Sequence, residues 1–473
     1  MARSATAPSD PLERRFRLTE RGTTVRTEVL AGATTFMTMA YILFVNPSIL
    51  GTPGPATGDT GLPFAQVLTV TALVAGVMTI AMGVFANYPF AIASGLGLNA
   101  VVAFQLVGAQ GLTYPEAMGV VVAEGLLITV LVLTGFREAV LDAIPVELKK
   151  AIGAGIGLFI TIIGFANSGI VVPGPGEGGP VLARGSLDSA RIAVFVVGLL
   201  LTAFLVARRT KGALLMGILA TTVLAVGVNA FGGGEVWVDL GPGVAQVPTQ
   251  VLALPDFSLL GAFSFGFIAK IGALGALLAV FTLMLADFFD TMGSAIALAH
   301  EGGFLDEDDR LPGMPRVLIV DSLAAVAGGA ASASSATTYI ESASGIAEGG
   351  RTGLTSVVTG VLFLFALFLS PLAGVIPPEA TAPALILVGF FMMSVTRELP
   401  WTDYTVAIPA FLTMVVMPFN YSITDGIGWG FVTYTLIKLA TGRIRELNWM
   451  MVLASALFGI YFALEPIGRL LGA

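Results

Sequence analysis

Long apolar runs separated by short polar stretches fill the chain after residue 28. A transmembrane helix needs about 17–25 mainly apolar residues. Runs of this kind, with a few shorter ones, give fifteen segments, numbered 1 to 15 in chain order: 29–50, 64–86, 91–108, 116–135, 146–170, 190–207, 212–231, 271–299, 315–333, 335–347, 353–374, 380–396, 403–421, 425–441 and 448–469. The pattern predicts an all-α polytopic membrane protein in which segments 1–14 cross the bilayer and 448–469 is a C-terminal helix on or partly in the inner face, although a fifteenth crossing stays open.

Two of the segments are short and rich in small and polar residues. The stretches 87–99 and 334–348, in segments 3 and 10, contain no long apolar run. Each is predicted to be a short strand followed by a half-helix. Irregular backbone at membrane depth survives only where protein shields it or where it lines a cavity. Free N–H groups at the start of such half-helices would suit an electronegative ligand.

The two halves of the chain echo each other. Ile144-Pro-Val-Glu147 opens segment 5, and Ile376-Pro-Pro-Glu379 opens segment 12, seven segments later. Because seven is odd, the second copy runs through the membrane in the opposite direction. Inverted repeats of this kind are typical of secondary transporters, whose substrate site lies near the midplane between the repeats.

The predicted domains follow from this repeat. Residues 1–28 form a cytoplasmic tail and 232–270 an extracellular loop. The first repeat is 29–231, with a core of segments 1–4 and a gate of segments 5–7. The second repeat is 271–441, with a core of segments 8–11 and a gate of segments 12–14. The C-terminal helix occupies 442–473.

Composition and charge support this organisation. Apolar residues make up 56% of the 473 positions and charged residues 11%, whereas soluble proteins carry about 25% charged residues. Basic residues concentrate in cytoplasmic loops, so the N-terminal cluster predicts a cytoplasmic N-terminus in a multi-pass protein of the plasma membrane. The cluster consists of Arg14, Arg15, Arg17, Arg21 and Arg26.

Several classes of function are disfavoured. With no cysteine and the single histidine His300, a thiolate or histidine-rich metal site is not expected. The chain contains no GxxxxGK[ST] phosphate loop for ATP and no TVGYG-like channel filter. No basic cluster indicates nucleic acid, and no enzyme chemistry or cofactor is indicated. Ion-coupled secondary transport remains.

Carboxylates inside apolar segments carry the strongest functional signal. Asp287 and Asp290 are three residues apart in segment 8, hence on one helix face, and Glu341 lies in segment 10. An ionised acid at the bilayer centre costs roughly 2.5–3.5 kcal/mol on insertion scales. These acids therefore predict a polar cavity, hydrogen-bond partners or protonation, the alternative being that they only bind helix ends or a buried base. Glu124, in segment 4, is as well suited to a helix–helix hydrogen bond as to a function.

The motifs around these acids resemble a known family. Thr337-Thr-Tyr-Ile-Glu341 together with Asp290-Thr-Met-Gly293 is similar to the nucleobase–cation symporter (nucleobase–ascorbate transporter) family. The longer strings 286–293 and 341–353 resemble its AzgA-like purine permease branch. The resemblance implies fourteen helices in core and gate domains, with segments 3 and 10 enclosing the substrate and segments 1 and 8 completing the site.

The resemblance also implies roles for single residues. Glu341 and Asp290 match acids that bind the base, and Asp287 and Asn99 match polar positions linked to purine recognition or transport. Thr338, in the same motif as Glu341, is included among the substrate-binding residues. Asp290, Asp287 and Glu341 are the candidates for proton coupling. Carboxylates accept hydrogen bonds from ring N–H and exocyclic NH2 groups, and the asparagine amide can both donate and accept.

The resulting expectation is proton-coupled uptake of adenine, guanine and hypoxanthine. Asp rather than Glu in segment 8 favours this purine branch over a uracil- or xanthine-specific permease. A sulfate-permease-like anion transporter of the same fold is a second alternative, and a channel or non-transporting receptor a third. The preferred purine, coupling by Na⁺ in place of H⁺, the acid that carries the proton and a homodimer are left open.

Overall fold

The computed structural model describes residues 11–51, 61–134, 144–174, 182–240, 243–307 and 310–471, the side chains of 173, 289 and 464–471 excepted. Nine helices in these ranges are long and apolar enough to cross a membrane. They correspond to segments 1, 2, 4 to 8, 11 and 12. The other five predicted crossings, segments 3, 9, 10, 13 and 14, correspond to shorter or less apolar elements, so all fourteen segments are present.

The first half of the chain contains seven segments and a β-hairpin. The segments are Val25–Met39 with Ile42–Leu50 (segment 1), Phe64–Ala81 with Met82–Ala86 (2), β1 at Ile92–Ser94 with the helices Leu96–Ala100 and Val101–Ala109 (3), Tyr114–Thr134 (4), Val146–Asn167 (5), Ala190–Ala207 (6) and Ala213–Phe231 (7). A short helix, Pro11–Phe16, precedes them. Strands β2 (Val171–Pro173) and β3 (Leu182–Arg184) form an antiparallel hairpin that the sequence analysis did not predict.

The second half repeats this order. Its segments are Phe267–Gly302 (8), Met314–Ala330 (9), β4 at Ala336–Thr338 with Ser342–Ala347 (10), Gly353–Ala366 with Leu367–Leu369 and Ser370–Ala373 (11), Pro378–Met393 with Ser394–Glu398 (12), Tyr404–Asn420 (13) and Ile423–Ala440 (14). Short 3-10 turns lie at Val238–Leu240 and Ile444–Glu446. The C-terminal helix is Trp449–Leu471, and its crossing of the membrane stays a prediction.

Segments 3 and 10 meet through their strands. β1 and β4 pair antiparallel, with Ala93 opposite Thr337. The pairing continues beyond the strands, because Gly95 N donates to the Ser335 carbonyl and Tyr339 N to the Ala91 carbonyl, both at 2.9 Å. Each extended piece therefore satisfies the backbone groups of the other, as a non-helical chain at membrane depth requires. The predicted strands in segments 3 and 10 are confirmed.

Helices pack closely around the paired strands β1 and β4, which are called the strand crossing below. Segment 11 packs on segments 1 and 2, segment 4 on segments 8 and 9, and segment 10 on segment 1. Glycine makes one of these approaches possible, since a Cβ built on Gly83 would lie 2.2 Å from the Gly353 carbonyl oxygen. Small residues at helix contacts allow this spacing in membrane proteins.

The repeated Ile-Pro motifs hold equivalent positions. Pro145 and Pro377 are the N-caps of segments 5 and 12, and these two helices pack against each other. Gly157 and Gly389 lie at their contact, where a Cβ on Gly389 would stand 2.4 Å from the Gly157 carbonyl oxygen. Segment 13 packs on segments 5 and 14. The division into core and gate domains stays a prediction.

Candidate functional site

Asp290 lies beside the strand crossing. Its Oδ2 accepts a hydrogen bond from the Thr337 hydroxyl of β4 at 3.2 Å. Asp290 is exposed, whereas Thr337 and its neighbours in β4 are buried. Asp290 is therefore an accessible carboxylate beside a buried strand.

Glu341 lies three residues after the end of β4, as the N-cap of the helix Ser342–Ala347, and is partly exposed. The Tyr41 hydroxyl donates to Glu341 Oε1 at 2.6 Å. Tyr41 is itself buried and stands where the helix of segment 1 is interrupted. The resemblance implies a contribution of segment 1 to the site, but no signal in the sequence marks Tyr41, because a tyrosine within an apolar run is common.

The accessible acids lie near each other. Asp290 interacts electrostatically with Glu341 and with Asp321 of segment 9. Within the described residues, neither Asp290 nor Glu341 forms an ion pair with a lysine or arginine. Their hydrogen-bond partners there are the hydroxyls of Thr337 and Tyr41. The site is therefore electronegative and suits a neutral ligand rich in N–H donors, or a cation, better than an anion.

Asp287 occupies a different environment one helical turn earlier. It is 0% exposed, and its Oδ2 lies 3.4 Å from the Ser335 hydroxyl. The same hydroxyl lies 3.4 Å from Oε2 of Glu124, which is also 0% exposed. Asp287 thus does not share the accessible surface of Asp290, although both were predicted for one site.

Asn99 and Thr338 are buried too. Asn99 is 0% exposed on the half-helix Leu96–Ala100, and neither atom of its amide has a hydrogen-bond partner in the described part of the chain. The Thr338 hydroxyl donates to Asp321 Oδ1 at 2.7 Å, and its backbone N–H donates to the same oxygen at 2.9 Å. Within β4, the hydroxyl beside Asp290 is therefore that of Thr337. The predicted substrate roles of Asn99 and Thr338 stay predictions.

Asp321 is a further polar residue of the site, to which the sequence analysis gave no role. Its Oδ2 accepts from the Thr291 hydroxyl of segment 8 at 2.6 Å, besides the two bonds from Thr338. It thereby ties segments 8, 9 and 10 together. Its signal in the sequence is an acid that directly follows the apolar residues 317–320 of segment 9.

Relatives of the chain identify its class. The family model Xan_ur_permease, described as "Permease family", matches residues 26–428. The chain belongs to this permease family. It is 40% identical over 448 residues to the adenine permease AdeP of Escherichia coli (strain K12), covering 94% of this chain and 95% of that relative. It is 38% identical over 450 residues to the guanine/hypoxanthine permease PbuG of Bacillus subtilis (strain 168), covering 94% and 98%.

The resemblance drawn from the motifs is thereby confirmed, and this permease is a multi-pass membrane transporter rather than an enzyme. Its fold matches that of the transmembrane domain of a cyanobacterium bicarbonate transporter, BicA, with a TM-score of 0.62 at 14% identity, covering 85% of this chain and 97% of that domain. At this identity the likeness shows the fold alone. It confirms the predicted fold class of two inverted seven-segment repeats.

Proposed function

We propose that this permease takes up purine nucleobases (adenine, guanine and hypoxanthine) across the cytoplasmic membrane in symport with protons. The observation that carries the proposal is the accessible pair Asp290 and Glu341 at the strand crossing, each held by one hydroxyl and neither in an ion pair with a base within the described residues. Relatives at 40% and 38% identity are named adenine and guanine/hypoxanthine permeases.

The chemistry of the pair fits a purine. A purine presents ring N–H and exocyclic NH2 donors along its edge, and two carboxylates can each accept one of them. Hydrogen bonds to charged groups contribute about 1.5–3 kcal/mol each. Tyr41 orients Glu341, and Thr337 orients Asp290, so the acceptors are positioned before the base arrives. We assign base binding to Asp290 and Glu341, with Asn99 as a further polar contact.

A proton supplies the driving force in this proposal. Moving one charge through 100 mV is worth about 2.3 kcal/mol, which corresponds to roughly fifty-fold accumulation. One coupled proton therefore suffices for scavenging. The N-terminal arginines favour a cytoplasmic N-terminus, which places the loop 232–270 outside.

Uptake by purified protein in proteoliposomes tests the proposal. Radiolabelled adenine, guanine and hypoxanthine are expected to accumulate when the outside is acidic, and a protonophore is expected to abolish accumulation. Accumulation that survives the protonophore contradicts proton coupling. Full activity of both Asp290→Asn and Glu341→Gln contradicts the assigned site.

The same assay separates the alternatives. If the protein were an anion transporter of this fold, sulfate or bicarbonate would compete for the site. The two nearby acids disfavour this alternative, because they would repel an anion. A uracil- or xanthine-specific permease would respond to those bases and not to adenine. A channel or receptor would bind purine without accumulating it. Unlabelled sulfate, bicarbonate, uracil and xanthine as competitors, together with the accumulation ratio, distinguish these outcomes.

A further inference from the structure

We propose that Glu124 and Asp287 form a sealed proton-binding pair, distinct from the accessible acids Asp290 and Glu341, and that Ser335 and Thr337 of segment 10 link the two. This inference rests on the proposed function, since it names the residues that would bind the coupled proton. It gives Glu124 a role that a helix–helix hydrogen bond alone would not require.

The first step is the isolation of the pair. Glu124 and Asp287 come from segments 4 and 8 and are both 0% exposed. One hydroxyl, that of Ser335, lies 3.4 Å from an oxygen of each. The other two oxygens, Glu124 Oε1 and Asp287 Oδ1, have no hydrogen-bond partner among the described residues. These are unpartnered polar atoms inside the protein, which native structures rarely leave unsatisfied.

The second step is a charge argument. A hydroxyl carries one proton and can donate to only one of the two carboxyl groups. No ion pair of the described residues includes Glu124 or Asp287. Two adjacent ionised carboxylates without a counter-charge are strongly unfavourable in a buried site. A bound proton removes one charge and turns one carboxyl into a donor for the other, which satisfies both.

Two other buried acids show the contrast. The oxygens of Asp321 accept three hydrogen bonds, from Thr291 and Thr338. Those of Glu28, which is 0% exposed, accept from backbone N–H and hydroxyl groups of Thr352 and Thr355. Such donor sets stabilise an ionised carboxylate, and the pair formed by Glu124 and Asp287 has no comparable set. Unlike Asp321 and Glu28, this pair therefore lacks hydrogen-bond donors for two of its four carboxyl oxygens among the described residues.

The third step is the connection to the substrate site. Asp287 and Asp290 lie one turn apart on segment 8, and the hydroxyls beside them belong to Ser335 and Thr337. Residues two apart in an extended chain point to the same side. One side of the segment 10 strand therefore contacts the sealed pair at one end and the accessible acid at the other. A change of protonation at Asp287 can shift the strand that positions Asp290.

Transport measurements on Glu124→Gln test the inference. The amide keeps the size and the hydrogen-bonding ability of the side chain but cannot take up the transported proton. With wild type at a potential of 100 mV, adenine is expected to accumulate up to about fifty-fold. Glu124→Gln is expected to reach only about one-fold accumulation. Exchange of labelled for unlabelled adenine at equal concentrations, which needs no net proton movement, is expected to stay within about two-fold of the wild-type rate.

Glu379→Gln is the matched control. Glu379 is a buried glutamate whose Oε2 accepts a hydrogen bond from the Trp237 ring N–H at 2.9 Å. The Glu379→Gln variant is expected to accumulate adenine like wild type. Wild-type accumulation by Glu124→Gln overturns the inference. A second outcome also overturns the inference. If a Na⁺ gradient alone drives accumulation by wild type, and Glu124→Gln loses this accumulation, the ligand of the pair is Na⁺ and not a proton.

A measurement on the wild type does not depend on how the variant folds. Infrared spectroscopy of the purified wild-type protein at pH 7 is expected to show the signal of a protonated carboxyl group. This signal is expected to disappear in Glu124→Gln. If that variant does not fold, the same loss is expected in Asp287→Asn. Wild type without any protonated carboxyl overturns the inference whatever the variants do. Failure of the proposed function looks different, because wild type then neither exchanges nor accumulates purines while its infrared signal is unaffected.

Discussion

Two acids one turn apart on the same helix lie in opposite environments. Asp290 is exposed and bonded to Thr337, whereas Asp287 is 0% exposed and shares the Ser335 hydroxyl with Glu124. An accessible carboxylate can exchange its water for the donors of a ligand. A sealed one can exchange only something as small as a proton or a bare cation. Burial, rather than residue type or helical face, separates the two proposed roles.

The largest expected effect concerns the accessible acids. Asp290→Asn and Glu341→Gln are each expected to lower the kcat/KM of adenine uptake about 100-fold, because each loses charge-assisted hydrogen bonds of about 1.5–3 kcal/mol. Equilibrium exchange is expected to fall equally, unlike in Glu124→Gln. Uptake kinetics and exchange on the same vesicles measure this difference, with Glu398→Gln, an exposed acid paired with Lys150, as the control. Exchange at the wild-type rate in either variant would erase the distinction between the two pairs.

Tyr41→Phe is expected to have the next largest effect. It removes the 2.6 Å hydrogen bond to Glu341 Oε1 without changing the size of the ring. A bond to a carboxylate contributes about 1.5–3 kcal/mol, so purine affinity is expected to fall about ten-fold while proton coupling persists. Competition binding and the accumulation ratio measure the two quantities. A variant that keeps its affinity but loses accumulation would instead place Tyr41 with the sealed pair.

The neighbouring threonines of β4 give a paired comparison. Thr337→Val removes the donor to Asp290 at 3.2 Å and is expected to weaken purine binding about five-fold, near the size of one ordinary hydrogen bond. Thr338→Val removes a donor to the buried Asp321. It is expected to lower the free energy of unfolding by about 1–3 kcal/mol with little change in affinity. Thermal unfolding and competition binding of both variants separate these effects, and the reverse pattern would restore Thr338 to the substrate site.

Hydropathy could predict the segments, because these depend on the length of apolar runs. It could also predict the two strands, because small and polar residues interrupt such runs in segments 3 and 10. The segment bounds agree closely, for example 146–170 predicted and Val146–Asn167 observed. Asp290 and Glu341 could be identified as candidates, because an acid within an apolar segment is costly and indicates a functional site. That Asp287 is sealed could not be predicted, since exposure depends on the neighbouring segments.

Other features of the site depend on contacts between distant parts of the chain. Tyr41 reaches Glu341 across 300 positions, and Ser335 reaches Glu124 across 211. The motif Thr337-Thr338 does not say which side of the strand faces which helix, so the sequence cannot tell which of the two hydroxyls lies beside Asp290. Strand alternation settles that choice only when the pairing partner and the flanking helices are known.

The smallest expected effect belongs to Ser335→Ala, which acts on the link rather than on either acid. The variant removes the single hydroxyl between Glu124 and Asp287 but leaves both carboxyl groups. At contacts of 3.4 Å this hydroxyl contributes weakly, so exchange and accumulation are expected to stay within about two-fold of wild type. The pH at which accumulation is half-maximal is expected to shift upward. The variant removes the only described donor to the ionised pair, whereas the protonated pair still has the donor that its own bound proton supplies. Accumulation measured over a series of external pH values tests this sign, and a downward shift would mean that Ser335 serves the protonated pair.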